Sequence, residues 1–250
     1  MTDVVVTTVA ERPHLVDAMW AMPDTWPVFM GHDEIASALF LHVPETFPQT
    51  CLVATLGDGE EVVARGFAAP FALHTERRGG LLPGGGWDRV LTWAFRDHRQ
   101  GVAPDTVSAL EVAVRPDHLA HGLSHRMLAA MRAAAAATGA GELVAPVRPN
   151  GKHREPHVPM REYTARTRDD GLPSDAWLRA HVRAGATIDS VATRSMVIAG
   201  SLADWREWTG LPFATTGDVV VPEALVPVHC DVEHDHAVYI EPNVWVRHRL

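Results

Sequence analysis

The sequence has 250 residues, of which 46% are apolar and 21% are charged, as is typical of a globular protein with one domain and a substantial core. Its formal net charge of −9 argues against a general nucleic-acid-binding protein, which would carry a basic surface. The first residues lack the pattern of a signal peptide, and no apolar stretch is long enough to span a membrane. Cys51 and Cys230 are too few for a disulfide-rich protein and are typical of a reducing cytoplasm.

Hydrophobic periodicity and turn residues divide the chain into strands and helices. A Gly-Asp-Gly turn at 57–59 predicts a hairpin, and Gly139 and Gly141 end the clearest helix. There is no internal repeat and no low-complexity linker, which favours a single α/β domain. The predicted strands are 3–9, 50–56, 61–69, 107–114, 142–147, 187–199, 218–221 and 237–246, and the predicted helices are 13–22, 32–42, 87–99, 122–138 and 175–184.

The strand–turn–helix at 107–138 is the most informative segment. Its strand continues through Arg115 and Pro116 into a short loop, and the helix that follows has Gly122 and Ser124 in its first turn. A helix N-terminus presents free N–H groups and the positive end of its dipole, and a glycine lets a pyrophosphate approach the backbone. The segment therefore predicts an anion site. It lacks the three glycines of a dinucleotide fingerprint, and the glycines at 84–86 are not followed by the Lys-Ser/Thr of a nucleoside-triphosphate loop.

This segment resembles the acyl-CoA-binding motif of the GNAT N-acetyltransferase superfamily. There, a strand ending in Val-x-Pro leads into an Arg/Gln-x-x-Gly-x-Gly/Ala turn and a helix. The corresponding residues are Val114-Arg115-Pro116 and then Leu119 to Ser124, with Leu119 in place of the leading Arg or Gln. The resemblance covers the order of elements from about residue 3 to 199. It implies an α/β (α+β) fold over 1–250, with a mixed, mostly antiparallel sheet flanked by helices and a C-terminal extension at about 200–250 packed on it.

The resemblance also implies that acetyl-CoA is the co-substrate and that it enters a splay between the strands 107–114 and 142–147. The pantetheine arm would pair with the first of these strands, and the pyrophosphate would lie at the helix N-terminus. Asn150 matches an Asn that often follows the family's next strand. The residues expected to bind CoA are Val112, Ala113, Val114, Leu119, Ala120, His121, Gly122, Leu123, Ser124, Arg126 and Asn150.

Three side chains are candidates for the chemistry of acyl transfer from the thioester to an amine. Glu111 is the candidate base, because strand alternation places it beside the small residues Ala109 and Ala113; a surface glutamate or a salt-bridge partner is the alternative. His181 stands where the family has a tyrosine facing the departing sulfur, so the resemblance implies that its imidazolium protonates the thiolate. Tyr163, in the long loop 148–174, is an alternative acid.

The basic composition of the loop 148–174 favours an anionic small-molecule acceptor, or else a contact with the 3′-phosphate of CoA. No metal is expected. His121 and His125 lack an acidic partner, and alternation along a strand would divide the ligands of the His/Cys/Asp-rich stretch 229–236 between two faces. Because Lys152 is the only lysine among many arginines, the composition is also typical of a GC-rich bacterial genome.

The predicted activity is transfer of an acyl group, with acetyl as the expected group, from CoA to an amine of a small molecule in the cytoplasm. Neither nucleic acid nor a membrane is an expected partner. Two alternatives stay open: a GNAT-like enzyme that decarboxylates the acyl group or transfers it to a carrier protein, and a non-catalytic acyl-CoA-binding protein. The apolar C-terminal stretch belongs either to the core or to the interface of a homodimer.

Overall fold

The computed structural model describes residues 4–23, 26–119 and 121–250, which fold into one nine-stranded sheet flanked by helices. The strands are β1 (Val4–Thr8), β2 (Leu52–Leu56), β3 (Val62–Phe71), β4 (Thr106–Val114), β5 (Glu142–Val147), β6 (Thr187–Gly200), β7 (Gly217–Val219), β8 (Val228–Asp231) and β9 (His236–Arg249). The α-helices are α1 (Val16–Trp20), α2 (Glu34–Leu39), α3 (Val43–Thr46), α4 (Gly86–Gln100), α5 (Leu123–Ala137), α6 (Met160–Thr164), α7 (Ala176–Arg183) and α8 (Leu202–Thr209).

The strands lie in the order β1-β2-β3-β4-β5-β9-β8-β7, and β6 also pairs with β9. Every pairing is antiparallel except that of β4 with β5. The predicted fold class, a mixed and mostly antiparallel sheet flanked by helices, is therefore confirmed. Among the described residues, no helix is both long and apolar enough to cross a membrane.

Alternation along β3 separates two cores on opposite faces of the sheet. Phe67 and Phe71 belong to the larger core, which includes α1, α4 and the aromatic residues of α8. Ala64 and Ala68 belong to the second core, which the apolar stripe of α5 covers. Leucines, methionines and alanines recur at helical spacing in α5, and this pattern lets the helix pack closely across β2, β3 and β4.

The two parallel strands at the centre of the sheet stay together for only three residue pairs. Thr106, Val107 and Ser108 of β4 pair with Glu142, Leu143 and Val144 of β5, and beyond that point the strands diverge. The second half of β5 instead continues its pairing with β9, from Ala145–Val246 to Val147–Val244. One edge of β4 therefore has no strand beside it from Ala109 onward, which is the splay that the family resemblance implies.

Within the C-terminal part of the chain, β9 is a strand of the sheet itself. β9 pairs with β5, β6 and β8, so residues 236–249 join the two halves of the molecule. The sequence analysis did not predict β8 or α8. The N-terminus of α8 carries a recognisable signal, because Ser201 and Asp204 form a reciprocal capping box.

A β-bulge interrupts β4 at Leu110. Phe67 of β3 pairs with Glu111, whereas the adjacent Ala68 pairs with Ala109, so Leu110 is an extra residue. Ala109 contacts the second core, while Leu110 and Ala113 belong to the larger one. The expectation that Ala109, Glu111 and Ala113 share a face is therefore wrong for Ala109, since the bulge reverses the alternation.

Gly86 fixes the start of α4 against β6. Its φ is +43°, and a Cβ at this position would lie 2.6 Å from the Cα of Ser195, whose hydroxyl accepts the Trp87 N–H at 2.9 Å. We expect Gly86→Ala to lower the free energy of unfolding by roughly 3 kcal/mol in urea titrations.

The matched control is Gly84→Ala, because a Cβ there would meet Thr193 Oγ1 at an ordinary 3.7 Å. We expect that variant to change the free energy of unfolding by less than about 1 kcal/mol. Equal effects of the two substitutions would mean that α4 moves away from Ser195 without strain.

Candidate functional site

A cavity of about 830 Å³ opens where β4 and β5 diverge. Leu119, Ser124 and Leu128 line it from the face of the sheet that α5 covers, and Trp26 and Met30 line it from the opposite face. The cavity therefore passes through the sheet between the two strands. Such a passage suits an elongated ligand that reaches a second molecule on the far side.

The open edge of β4 presents backbone groups to this cavity. Arg115 N–H donates to Val63 O at 2.9 Å, so the amide of Arg115 is directed toward β3. Because neighbouring residues of a strand direct their backbone groups to opposite edges, those of Val112 and Val114 are directed toward the splay. Val112, Ala113 and Val114 all line the cavity. An extended ligand with amide groups can pair there as an added strand.

The turn before α5 has the geometry of an anion site. Gly122 is the N-cap of the helix at φ +73°, and no side chain caps the helix there. His125 N–H and Arg126 N–H both donate to Gly122 O, which leaves the amides that precede them for a ligand. A Cβ at Gly122 would meet nothing within 4 Å, so the space above the turn is open.

The other residues predicted around the turn differ in their positions. Leu119 and Ser124 line the cavity, His121 is exposed, and Ala120 lies outside the described residues. The side chain of Leu123 is buried against the second core and supports the turn from below. Arg126 Nη2 donates to Val4 O at 2.6 Å, so its guanidinium holds α5 to β1.

Glu111 lies in the cavity wall, with its carboxylate held by two donors. Arg65 Nε donates to Oε1 at 2.7 Å and Trp26 Nε1 donates to Oε2 at 2.8 Å. Only 7% of the residue is exposed, and Arg65 also donates to Met19 O at 3.0 Å. The salt bridge, which the sequence analysis set as the alternative to a base, is therefore present, and the carboxylate still faces the cavity.

His181 lines the cavity from α7, where it is 2% exposed. Burial, together with nearby His248 and His125, lowers its pKa to about 3, so the ring is neutral near pH 7. The predicted role as an imidazolium acid does not fit this environment. The sequence analysis placed the residue near the site but missed its partner, because His248 is 67 positions further along the chain.

Tyr163 is not a cavity residue. Its hydroxyl donates to Asp175 Oδ2 at 3.0 Å, and burial with the neighbouring carboxylate raises its pKa. Asp175 also accepts the Gly151 N–H at 2.9 Å and caps α7 through the amides of Trp177 and Leu178. The tyrosine thus fixes the loop 148–174 to α7, and its expected role as an acid is not supported by its position.

The loop 148–174 contributes fewer basic side chains to the cavity than the sequence suggests. Asn150 and His153 line it, as does Arg148. Lys152 is fully buried, and its Nζ donates to the carbonyl oxygens of Glu155 and Leu225 at 2.7 Å. Burial lowers the pKa of this ammonium group, which ties the loop to the segment before β8.

The sequence analysis missed a second buried carboxylate, that of Glu241 on β9. The residue is 1% exposed, lines the cavity, and accepts from Arg148 Nε at 3.0 Å, Tyr239 OH at 2.9 Å and Asn243 Nδ2 at 2.9 Å. Burial and this carboxylate raise the pKa of Tyr239. A lone glutamate within an apolar strand is a signal that sequence reasoning could have used, because an ionised side chain is buried only when it is paired.

The His/Cys/Asp-rich stretch 229–236 forms the hairpin of β8 and β9. Cys230 is buried, whereas His229, His234 and His236 are exposed. His234 Nδ1 lies 2.9 Å from Asp231 Oδ2 within the turn. Within the described ranges there is no group of three or more His, Cys, Asp or Glu side chains placed to hold a metal ion.

Comparisons with known proteins agree with this geometry. The Arginine N-acetyltransferase avaD of Aspergillus versicolor is 31% identical over 274 residues, which cover 97% of this chain and 93% of that protein. The loading GNATL domain of CurA from Lyngbya majuscula superposes with a TM-score of 0.58 at 16% identity, over 99% of this chain and 98% of that one. The GphF GNAT-like decarboxylase in complex with isobutyryl-CoA gives 0.54 at 18% identity, with the same coverage. The two structural likenesses show the fold alone, and no family model matches the chain.

Proposed function

The chain belongs to the GNAT N-acetyltransferase superfamily and is an acyl-CoA-dependent N-acyltransferase, and on that premise we propose that it acetylates a primary amine of an arginine-like amino acid. The observation that carries this proposal is one cavity joining the open edge of β4 to two buried carboxylate–guanidinium pairs. The relative's name supplies the arginine, and the charges of the cavity support an acceptor that carries both signs.

Acetyl-CoA occupies the half of the cavity on the α5 side in this proposal. Its pyrophosphate lies at the amides that follow Gly122, where the helix dipole favours negative charge. The pantetheine arm pairs with the backbone of Val112 and Val114. The thioester carbonyl then lies near the Val112 N–H, which polarises it as charge develops on the oxygen.

The acceptor occupies the opposite half, between Glu111 and Glu241. Each carboxylate is already paired with an arginine, Arg65 or Arg148, so the wall presents alternating charges. A guanidinium group suits the carboxylates, and an α-carboxylate suits Arg148, whose side chain is 17% exposed. The sequence analysis expected an anionic acceptor. We propose instead an acceptor that carries both an α-carboxylate and a guanidinium group.

Glu111 is the base in this mechanism. It accepts one proton from the acceptor amine, whose nitrogen lone pair forms the new C–N bond at the thioester carbon. As the tetrahedral intermediate collapses, the C–S bond breaks and its electron pair leaves on the CoA sulfur. The proton held by Glu111 returns to that thiolate or to solvent, so the base is regenerated for the next turnover.

An acceptor series tests this function. Release of CoA thiol from acetyl-CoA is measured with L-arginine, with L-citrulline, which has a neutral side chain of similar shape, and with agmatine, which lacks the carboxylate. We expect L-arginine to have the highest kcat/KM, and each analogue to lose roughly 10- to 100-fold, because each lacks one charge-assisted hydrogen bond to the cavity wall.

Equal rates for L-citrulline and L-arginine would remove the guanidinium from the proposal, and equal rates for agmatine would remove the carboxylate. A parallel reaction with malonyl-CoA and no amine tests the decarboxylase alternative. Carbon dioxide release in that reaction without N-acetylation of any amine would overturn the proposed function.

A further inference from the structure

His181 and His248 form a buried pair beside the cavity. His181 Nδ1 lies 3.0 Å from His248 Nε2, and the rings are 5.3 Å apart at 50°. His248 is fully buried on β9, opposite Leu143 of β5. Trp177, one turn earlier on α7, packs edge-on against His181 at 4.7 Å and limits rotation of its ring. The pair is therefore held by three elements, α7, β9 and the β5 strand beneath it.

The surroundings keep both rings neutral. Burial and the nearby Arg132 guanidinium lower the pKa of His248 to about 4, and burial lowers that of His181 further. With both rings neutral, a single proton lies between Nδ1 of His181 and Nε2 of His248. Either His181 or His248 donates this proton to the other ring.

The carbonyl of Ala184 favours one direction for this hydrogen bond. This carbonyl is the backbone acceptor that acts on the His248 ring. Because His181 lies at Nε2, we infer that Nδ1 is the nitrogen beside the carbonyl; Nδ1 is buried and makes no well-aligned hydrogen bond. Arg132 Nη1 donates to the same oxygen at 2.9 Å. Because a carbonyl oxygen only accepts, it favours a proton on Nδ1 of His248, and Nε2 of that neutral ring is then an acceptor. His181 must donate from Nδ1, which leaves its Nε2 without a proton.

We propose that His248 is a positioning residue that fixes His181 as the Nδ1–H tautomer, so that His181 Nε2 accepts a hydrogen bond from the acceptor amine in the cavity. This inference rests on the proposed amine acceptor. No hydrogen bond to Nε2 is made by the described residues, and His181 lines the cavity. The hydrogen bond to His181 orients the amine, and the proton that the reaction removes from the amine goes to Glu111.

A hydrogen bond from the amine to His181 Nε2 has a specific effect on the reaction. An amine whose N–H is held by His181 has its lone pair turned away from that bond, and the lone pair is the part that must reach the thioester carbon. A misplaced nucleophile lowers the rate of the chemical step without lowering the affinity for CoA. The opposite tautomer would place an N–H against the amine and favour the wrong orientation.

Two substitutions of His248 separate positioning from packing. His248→Leu keeps an apolar volume but removes the acceptor for His181 Nδ1–H, and we expect kcat to fall roughly 10- to 100-fold with the KM for acetyl-CoA unchanged. His248→Gln restores an acceptor oxygen, and we expect kcat within about threefold of wild type. The control is His229→Gln, because His229 is exposed on β8 and absent from the cavity wall.

The tautomer is read directly from ¹⁵N NMR of histidine-labelled protein, in which the signals of His181 are assigned by their loss in His181→Gln. We expect a protonated Nδ1 and an unprotonated Nε2 in the wild type and in His248→Gln. A protonated Nε2 in the wild type would overturn the inference, as would wild-type kcat in His248→Leu. So would a loss of kcat in that variant that glutamine does not restore. If no amine is acetylated, the proposed function fails, while the NMR result still tests the tautomer.

Discussion

Replacing Gly122 by Asp is expected to weaken the binding of acetyl-CoA and of CoA by roughly 30- to 100-fold while the protein stays folded. The new carboxylate would stand at the helix N-terminus where we propose that the pyrophosphate binds. Like charges within roughly 8 Å of each other repel by about 2 kcal/mol or more at an effective dielectric constant of about 20. The fold tolerates the change because a Cβ there meets nothing within 4 Å and aspartate adopts a positive φ more readily than most residues. Isothermal titration calorimetry measures the affinities.

Gly122→Asn is the matched control, since it has the same shape without the charge. We expect it to bind acetyl-CoA several-fold more tightly than Gly122→Asp, and we expect the difference to shrink as salt is added. Equal affinities for the two variants would show that steric blockage, and not charge, is responsible. Wild-type affinity in Gly122→Asp would place the phosphates elsewhere and contradict the assignment of this turn.

The second large effect concerns Glu111. We expect Glu111→Gln to lower kcat by roughly 100-fold or more, because the amide cannot accept the amine proton, while the affinity for acetyl-CoA stays close to that of the wild type. The substitution also leaves the buried Arg65 without its counter-ion, which destabilises a protein by roughly 3–5 kcal/mol. The free energy of unfolding must therefore be measured beside the kinetic constants.

A double variant separates the two consequences. Arg65→Met with Glu111→Gln removes the unpaired charge, so stability should largely return, while kcat should stay low if Glu111 is the base. Recovery of kcat in the double variant would mean that the loss came from the unpaired arginine. Undiminished kcat in Glu111→Gln alone would transfer the role to another group, and Glu241→Gln is then the variant to compare.

Local sequence signals were sufficient to predict most of the elements and the turn before α5, where we propose that CoA binds. Apolar periodicity defines α5 and β4, and the glycine at 122 marks the place where a helix starts without a side-chain cap. These features depend on residues within one or two turns of each other. The splay between β4 and β5 followed from the family resemblance, since periodicity alone does not say which strands pair.

What the sequence did not reveal depends on distant contacts. The bulge at Leu110 arises from pairing with β3 and has no local signature, so the face occupied by Ala109 was predicted incorrectly. The role of Tyr163 depends on Asp175, and that of His181 depends on His248 at the far end of the chain. The central position of β9 could not be read from its composition, because an edge strand and a central strand of this length look alike.

The burial of Lys152 has a consequence for the chemistry of the protein as a whole. It is the only lysine in the sequence, and its amine is enclosed by carbonyl oxygens inside the loop. A protein that binds activated thioesters thus offers no lysine side chain on its own surface as a competing nucleophile. The presence of one lysine and its burial together suppress self-acylation of lysine. An amine substrate therefore does not compete with a lysine of the enzyme for the thioester.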